Sequence, residues 1–255
     1  MDKFYTPRET VDQCISVVRK YIRDTDTVIE PSAGNGAFIE SIKNLGVAGY
    51  MFLDIAPEHP EIQHTDFLST QFPSECVFLG NPPFGRQSAL AKKFIKHACK
   101  FARLIGFILP KSFKKESMNN CFDSYFHCVE EIDISDRFEF HGETPHRVPC
   151  VFQVWEKREI ERRRIERSEP NGWRFVRKDE GPTFAFRRVG GTAGRVSKDI
   201  EDKSVQSHYF IVAPEHCFEG LKKHVWKHEN TVGPRSISKQ EVTGVLNDLI
   251  DIKIE

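Results

Sequence analysis

Over the first 157 positions, apolar residues gather into short runs separated by polar, glycine-bearing turns, and these runs alternate with stretches of helical spacing. TVIEP (27–31) predicts a short buried strand, and AGNGAFIESIKNLG a turn feeding a helix that stops at Gly46. GYMFLDI (49–55), IQHTDF (62–67) and CVFLGN (76–81) predict the second, third and fourth strands. SALAKKFIKHACKFARL then places Leu90, Phe94, Ala98 and Phe101 on one side of a helix, and LIGFILP (104–110) reads as the fifth strand. CVEEIDI (128–134) and VPCVFQVWEK (148–157) supply two more. Strand and helix in this alternation imply an α/β fold, a parallel sheet covered by helices, with ligands at the carboxyl ends of the strands.

Beyond Trp155 the pattern changes. EKREIERRRIERSEP (156–170) is a mixed-charge run with isoleucine at only two places, the composition of a solvated helix or linker, and the glutamates around Arg162, Arg163 and Arg164 favour solvent over phosphate contact. GWRFVRK, TFAFRRVGGTAGRV and SHYFIVAP (207–214) read as short strands joined by glycine-rich turns, and PEHCFEGLKKHVWKH as a helix. The chain thus divides into a main domain (1–158), a charged linker or helix (159–170) and a small α+β appendage (171–255).

A hydrophobic fraction of 39% and a charged fraction of 29% over 255 residues are those of a globular protein able to bury a core. No apolar stretch approaches the length of a bilayer span, and MDKFYTPRET lacks the basic-then-apolar layout of a signal peptide, so the expectation is an intracellular protein of open compartment with no membrane partner. Seven widely spread cysteines without a C-x-x-C pair suggest reduced thiols, and no H-E-x-x-H occurs, so no metal is expected. Net charge is zero, yet from Arg86 to Lys115 there is no acidic residue among nine basic ones. Lys92, Lys96, Lys100 and Arg103 follow one another at three- and four-residue steps. Those steps fit either a solvated helix face or a row of phosphate contacts.

The chemistry concentrates at FLGNPPFGRQ. Two prolines, Pro82 and Pro83, fix two successive φ angles and remove two donors, so that the Asn81 amide oxygen and the Pro82 carbonyl can be held as a rigid pair of acceptors. Two acceptors side by side suit a planar amino group with two N–H donors, and Phe84 offers a face on which a flat heterocycle can stack. At the end of the first strand, Gly34-Asn35-Gly36 permits a sharp turn and close approach of a ligand to the backbone. Asp54 ends the second strand 18 residues after Gly36, the position from which an acid accepts ribose hydroxyls in dinucleotide folds. Asp66-Phe67 stands in the same relation to the third strand.

EPSAGNGAF, LDI, TDF and GNPPF, in that order and preceded by FYTP (4–7), resemble the class I S-adenosylmethionine-dependent methyltransferases that modify the exocyclic amine of adenine. The resemblance covers residues 4–115 by motif and 1–157 by strand order. It implies a Rossmann-like seven-stranded, mostly parallel sheet with helices on both faces, and S-adenosylmethionine as cofactor. By position, Tyr5, Thr6 and Pro7 would contact the methionine part of that cofactor. Glu30, Ala33, Gly34 and Gly36 would form its loop, with Asn81 bordering it. Asp54 would hold the ribose, Ile55 would pack on the adenine, and Asp66 and Phe67 would bind the adenine's edge. Asn81, Pro82, Pro83 and Phe84 would form the catalytic clamp for the substrate base.

Candidate substrate contacts are Phe84, Arg86, Lys111, Phe113 and Lys114 near that clamp, and Arg187 and Arg188 in the appendage, close to Phe184, Phe186 and Arg195. At both places a plain exposed loop or a basic hairpin face reads equally well. DRFEFHGETPHRVPC (136–150), with Phe138, Phe140, His146 and Arg147, is a candidate target-gripping loop. The expected partner is nucleic acid, with DNA favoured by the motifs. RNA stays open, structured or cap-adjacent, because the appendage is shorter than a usual target-recognition domain. A catalytically inactive nucleic-acid-binding subunit and a protein glutamine amide are the remaining alternatives. The oligomeric state is open.

Overall fold

The computed structural model describes residues 4–134, 139–140, 149–163, 168–226 and 235–251. It divides into two units, residues 1–164 and 165–255. In the first, β1 (Phe4–Tyr5) leads into α1 (Arg8–Val18), a helix not anticipated from the strand pattern, which buries Thr10, Val11, Cys14 and Val18. There follow β2 (Thr27–Glu30), α2 (Ile39–Lys43), β3 (Gly49–Asp54), β4 (Gln63–His64), β5 (Cys76–Gly80), α3 (Ala89–Ala98), β6 (Ala102–Pro110), α4 (Glu116–Asn119), β7 (Phe126–Ile134), β8 (Glu139–Phe140) and β9 (Cys150–Lys157).

Seven of these strands form one sheet in the order β4-β3-β2-β5-β6-β9-β7. The pairs from β4 through β6 are parallel, and β9 runs antiparallel between β6 and β7. Successive side chains of each strand face opposite ways. Val28, Val77, Leu79, Leu104 and Phe152 therefore pack with α1 and α2 in one core. Ile29, Phe78, Ile105, Phe107 and Val151 pack with Phe94 and Ile95 of α3 in the other. All nine residues of β6 are buried, which is why that run is apolar except for Arg103, whose charge is paired inside the protein. Fully burying each large apolar side chain contributes roughly 1.5–3 kcal/mol, and this strand anchors both layers. The Trp155 indole stacks on Phe122 with centroids 4.0 Å apart, and its N–H donates to Gln153 Oε1 at 3.0 Å.

Two expected elements shorten. The third strand, anticipated over 62–67, keeps only Gln63–His64 in the ladder. The Thr65 N–H turns back to the Asp54 carbonyl, and the Asp66 carboxylate accepts from Leu68 N–H, which starts a tight turn instead of extending the strand. In the charged run, residues 158–163 form no helix. Arg162 donates to the Phe126 and Asn119 carbonyls and lies 5.0 Å from the Trp155 ring, so it is spent within its own unit.

The second unit is a four-stranded antiparallel sheet, β10 (Arg174–Val176), β11 (Phe184–Arg187), β12 (Val196–Ser197) and β13 (His208–Val212), in the order β10-β13-β11-β12. Helices α5 (Glu215–Lys223) and α6 (Lys239–Asp251) close its core around Trp173, Phe184, Phe186, Ile211, Leu221 and Leu246. The start of α6 carries a capping box: Ser238 Oγ accepts from Glu241 N–H, and the Glu241 carboxylate accepts from Ser238 N–H.

Candidate active site

Parallel strands bring their carboxyl ends to one edge, so Glu30, Asp54 and Asn81 are neighbours although 51 positions separate the first from the last. The loop after β2 is held to β3 by its backbone. Ala33 N–H donates to the Leu53 carbonyl at 2.8 Å and Gly34 N–H to Asp54 Oδ2 at 2.8 Å, while Ala56 N–H donates to Asp54 Oδ1 at 2.8 Å. Each Asp54 oxygen keeps a further acceptor site, so a diol can still bind there. Gly36 has φ +86°, and a Cβ on it would lie 2.7 Å from the Ile39 side chain and 3.2 Å from the His59 ring. Only glycine makes this turn without displacing them.

Glu30 ends β2 with its side chain inside the protein, 2% exposed, and its Oε2 finds no hydrogen-bond partner among the described residues. Burial, with the Asp54 charge nearby, pushes its carboxyl well above the usual range. Gly80, at φ +147°, makes room for it: a Cβ there would stand 3.1 Å from Glu30 Cγ. Asn81 follows. Its Nδ2 donates to Thr6 Oγ1 at 3.2 Å and its backbone carbonyl accepts from Ser32 Oγ at 3.1 Å. Its Oδ1 is buried and without a partner among the described residues. An amide whose nitrogen is engaged and whose oxygen is open is an oriented acceptor.

The chain between this amide and α3 is strained. Gly85, Gln87 and Ser88 all have positive φ, and the last two are not glycine. That path brings the Phe84 carbonyl over the start of α3, where it accepts from Leu90 and Ala91 N–H at 3.1 and 3.3 Å. Phe84 itself is half-buried and packs against both cores, while Pro82 is buried and Arg86 exposed.

On the other side of the loop, Tyr5 reaches across. A Cβ on Gly34 would be 3.9 Å from the Tyr5 ring, and Tyr5 OH donates to Glu58 Oε2 at 2.7 Å. Desolvation and that carboxylate push the phenol up to about 12, so Tyr5 remains a donor. Thr6 is buried, Pro7 half-buried, and Ile55 lies 47% exposed beside Asp54.

Several expected site residues are placed elsewhere. Phe113 is 0% exposed in the core, not a wall for substrate, because the turn after β6 folds it inward. Lys111 and Lys114 pair with Asp133 at 3.5 and 3.0 Å, and Lys114 also with Glu131 at 3.4 Å, which neutralises the basic rim. The Phe67 side chain is 1% exposed inside a cluster with Phe72, Phe78, Phe94 and His97. It therefore offers a ligand only its backbone, while Asp66 beside it stays exposed. Arg103 leaves the basic row altogether: it lies in β6 and is buried against Asp26. Lys96 and Lys100 are exposed and Lys92 half-buried on the outer side of α3 and just beyond it. Arg187 and Arg188 belong to the second unit. Phe138, His146 and Arg147 lie outside the described residues. Two contributors went unnoticed in the sequence. Ser32 sits within the EPSAGNG motif, whereas Glu58 carries no local signal.

No protein-family model matches the chain. Over 103 residues it is 30% identical to two Type II methyltransferases of Haemophilus influenzae, M.HincII and M.HindII. That stretch is 38% of this chain and 20% of each of theirs, so the chain spans only a small part of those relatives. Among solved structures, a candidate RNA methyltransferase from Pyrococcus horikoshii superposes with a TM-score of 0.50 at 13% identity, over 61% of this chain and 86% of that one. At that identity the likeness is one of architecture: the chain has the α/β, Rossmann-like fold of a seven-stranded, mostly parallel sheet.

Proposed function

We propose that the chain transfers a methyl group from S-adenosylmethionine to the exocyclic amine of adenine in nucleic acid, with DNA favoured over RNA. The observation that carries this reading is the buried, unpartnered Asn81 Oδ1 at the carboxyl end of β5, beside a loop that leaves a second buried acceptor, Glu30 Oε2, equally open. Acceptors buried without donors are costly unless a ligand brings the donors.

The residues fit the cofactor. When bound, S-adenosylmethionine supplies a methyl on a cationic sulfur and an α-ammonium group. Glu30, its pKa raised by burial and by the Asp54 charge, suits such a cationic ligand, and its charged form would become the stable one beside it. Asp54 would take the ribose hydroxyls, Ile55 would cover the adenine, and Asp66 with the Phe67 backbone would border its edge. Tyr5, Thr6 and Pro7 would close over the methionine part beside Ala33, Gly34 and Gly36.

The substrate amine would donate one N–H to Asn81 Oδ1 and one to the Pro82 carbonyl, with the ring against Phe84. Adenine's amino lone pair is delocalised into its ring. Two acceptors on the amino hydrogens favour a pyramidal nitrogen and aim its lone pair out of the plane. As the methyl passed to nitrogen and its former bonding pair stayed on the departing neutral thioether, the same acceptors would stabilise the positive charge gained by nitrogen, and the surplus proton would leave to solvent. No general base is required, which suits an amide at position 81. The relatives named as Type II methyltransferases support this reading over the matched stretch.

The test is methyl transfer from labelled S-adenosylmethionine to matched double-stranded DNA, single-stranded DNA, uncapped RNA and capped RNA, followed by nucleoside analysis. N6-methyladenine in one of them is expected. Silence on all four, with cofactor bound, overturns the assignment.

A further inference from the structure

The second unit contains a cavity of about 820 Å3 at the point where its sheet stops short. Strand β10 pairs with β13 only at Arg174–Val212, Phe175–Ile211 and Val176–Phe210. The chain then turns away, with Glu180 N–H donating to the Arg177 carbonyl, so among the described residues no strand lies beside His208 and Tyr209 on that side. The space left open is bordered by Phe175, Tyr209, Lys178, Arg188, Lys239 and Asp179.

Its chemistry is mainly cationic, the acid on its border, Asp179, lying 3.9 Å from Arg177. Lys178, Arg188 and Lys239 have no carboxylate partner among the described residues, whereas other cations of the unit are paired: Arg177 with Glu180 at 2.9 Å, Lys198 with Glu215 at 2.5 Å and Lys203 with Asp199 at 3.6 Å. Lys178 Nζ donates to the Glu201 carbonyl and the Arg188 guanidinium to the Gln206 carbonyl at 2.7 Å, and ring faces offset a further part of the repulsion, but no carboxylate among the described residues neutralises the three charges. Lys239 Nζ lies 4.7 Å from the Phe175 centroid and 5.8 Å from that of Tyr209, and the Arg188 guanidinium lies 5.6 Å from Tyr209. The two rings meet edge to face at 5.5 Å. A second cavity of about 390 Å3, bordered by Arg187 and Arg195, shares the His208 wall and continues the cationic surface.

The larger cavity falls in the ~300–1,000 Å3 range of pockets that enclose a ligand of nucleotide scale. Cations beside aromatic rings are the arrangement that follows a single strand, since unstacked bases can reach the rings while the cations take phosphates. Bases stacked inside a duplex cannot enter. We propose that this cavity binds a single-stranded segment of nucleic acid, with phosphates on Lys178, Arg188 and Lys239 and a base against Phe175 and Tyr209. The inference deepens the reading of the chain as an enzyme of nucleic acid and rests on it for the identity of the polymer, while its test needs no turnover.

Binding of a fluorescein-labelled, mixed-sequence single-stranded oligonucleotide to the full chain would be followed by anisotropy across a salt series, without cofactor. The double variant Arg188→Gln, Lys239→Gln should bind roughly tenfold more weakly at 0.1 M salt and lose about 1.4 from the slope of log affinity against log salt, the share of two phosphate contacts. Lys222→Gln with Lys223→Gln, which alters exposed lysines on α5 outside the cavity, should change neither the affinity nor, beyond the small general loss of charge, the slope. Unchanged binding in the cavity variant, or competition by polyglutamate as effective as by unlabelled strand, overturns the proposal. A wild-type chain that binds the strand through these residues but methylates none of the four polymers leaves the cavity assignment standing and removes the enzymatic one.

Discussion

Asp26 and Glu30 lie at the two ends of one strand, and the fold treats their carboxylates in opposite ways. Asp26, just before β2, is fully engaged: Arg103 Nε donates to it at 2.7 Å, a second guanidinium nitrogen binds its other oxygen, and Arg23 N–H adds a bond at 2.7 Å. The same guanidinium donates to the Tyr21 carbonyl, so the cation is engaged as well. Glu30 at the other end is as deeply buried yet keeps an oxygen without a partner among the described residues, and one strand over so does Asn81. The chain is therefore able to close buried polar groups on one another, and at the carboxyl edge it does not. That difference separates a closed structural ion pair from an edge whose acceptors stay open among the described residues.

The contrast can be broken first at its closed end. Arg103→Met should leave the Asp26 carboxylate buried and uncompensated, lowering stability by ~3–5 kcal/mol in urea unfolding followed by circular dichroism. A loss below 1 kcal/mol would mean that the pair is not closed in solution. At the open end, Asn81→Ala should unfold like wild type and bind cofactor nearly as well, while turnover falls ~10²–10³-fold or more. Retained turnover removes Asn81 from the mechanism.

Glu30→Gln sharpens the comparison through pH. Because the folded pKa of Glu30 lies above its ordinary value of 4.5, the folded state binds a proton that the unfolded chain releases. Its contribution is complete below that ordinary value and is lost as pH rises through the folded pKa. The ligand-free variant should therefore lose less stability than wild type as pH rises over that window, and should bind S-adenosylmethionine roughly 10- to 100-fold more weakly, read by titration calorimetry. The smallest effect is expected at Thr6. Thr6→Val leaves the Asn81 amide nitrogen without its acceptor, and kcat should fall about tenfold, with Thr6→Ser restoring most of it. Equal activity in both variants would show that the hydroxyl does not orient the amide.

The open end was far more legible in the sequence than the closed one. Glycines where a turn needs them, an acid 18 residues on and two prolines behind an asparagine are local devices, each interpretable within a few residues. The parallel sheet covered by helices followed from alternating strands and helices for the same reason. What escaped depends on tertiary neighbours. Arg103 continues the three- and four-residue spacing of α3 but falls in β6, where Asp26, 77 positions earlier, claims it. Phe113 and Phe67 stand next to polar residues, and only the packing of the turns that carry them shows that they face inward. Lys111 and Lys114 looked free because their partners, Glu131 and Asp133, come from β7. The cavity of the second unit joins residues 175, 188, 209 and 239, which no local pattern connects.

The placement of Trp155 has an optical consequence. It is the sole tryptophan of the first unit, since Trp173 and Trp226 belong to the second. Its indole is sealed from water, stacked on Phe122 and bonded to Gln153. Replacing the other two by phenylalanine would leave a chain whose blue-shifted emission and near-ultraviolet dichroism report the first unit alone. The two halves of the protein could then be melted, and their ligands titrated, as spectroscopically separate objects within one molecule.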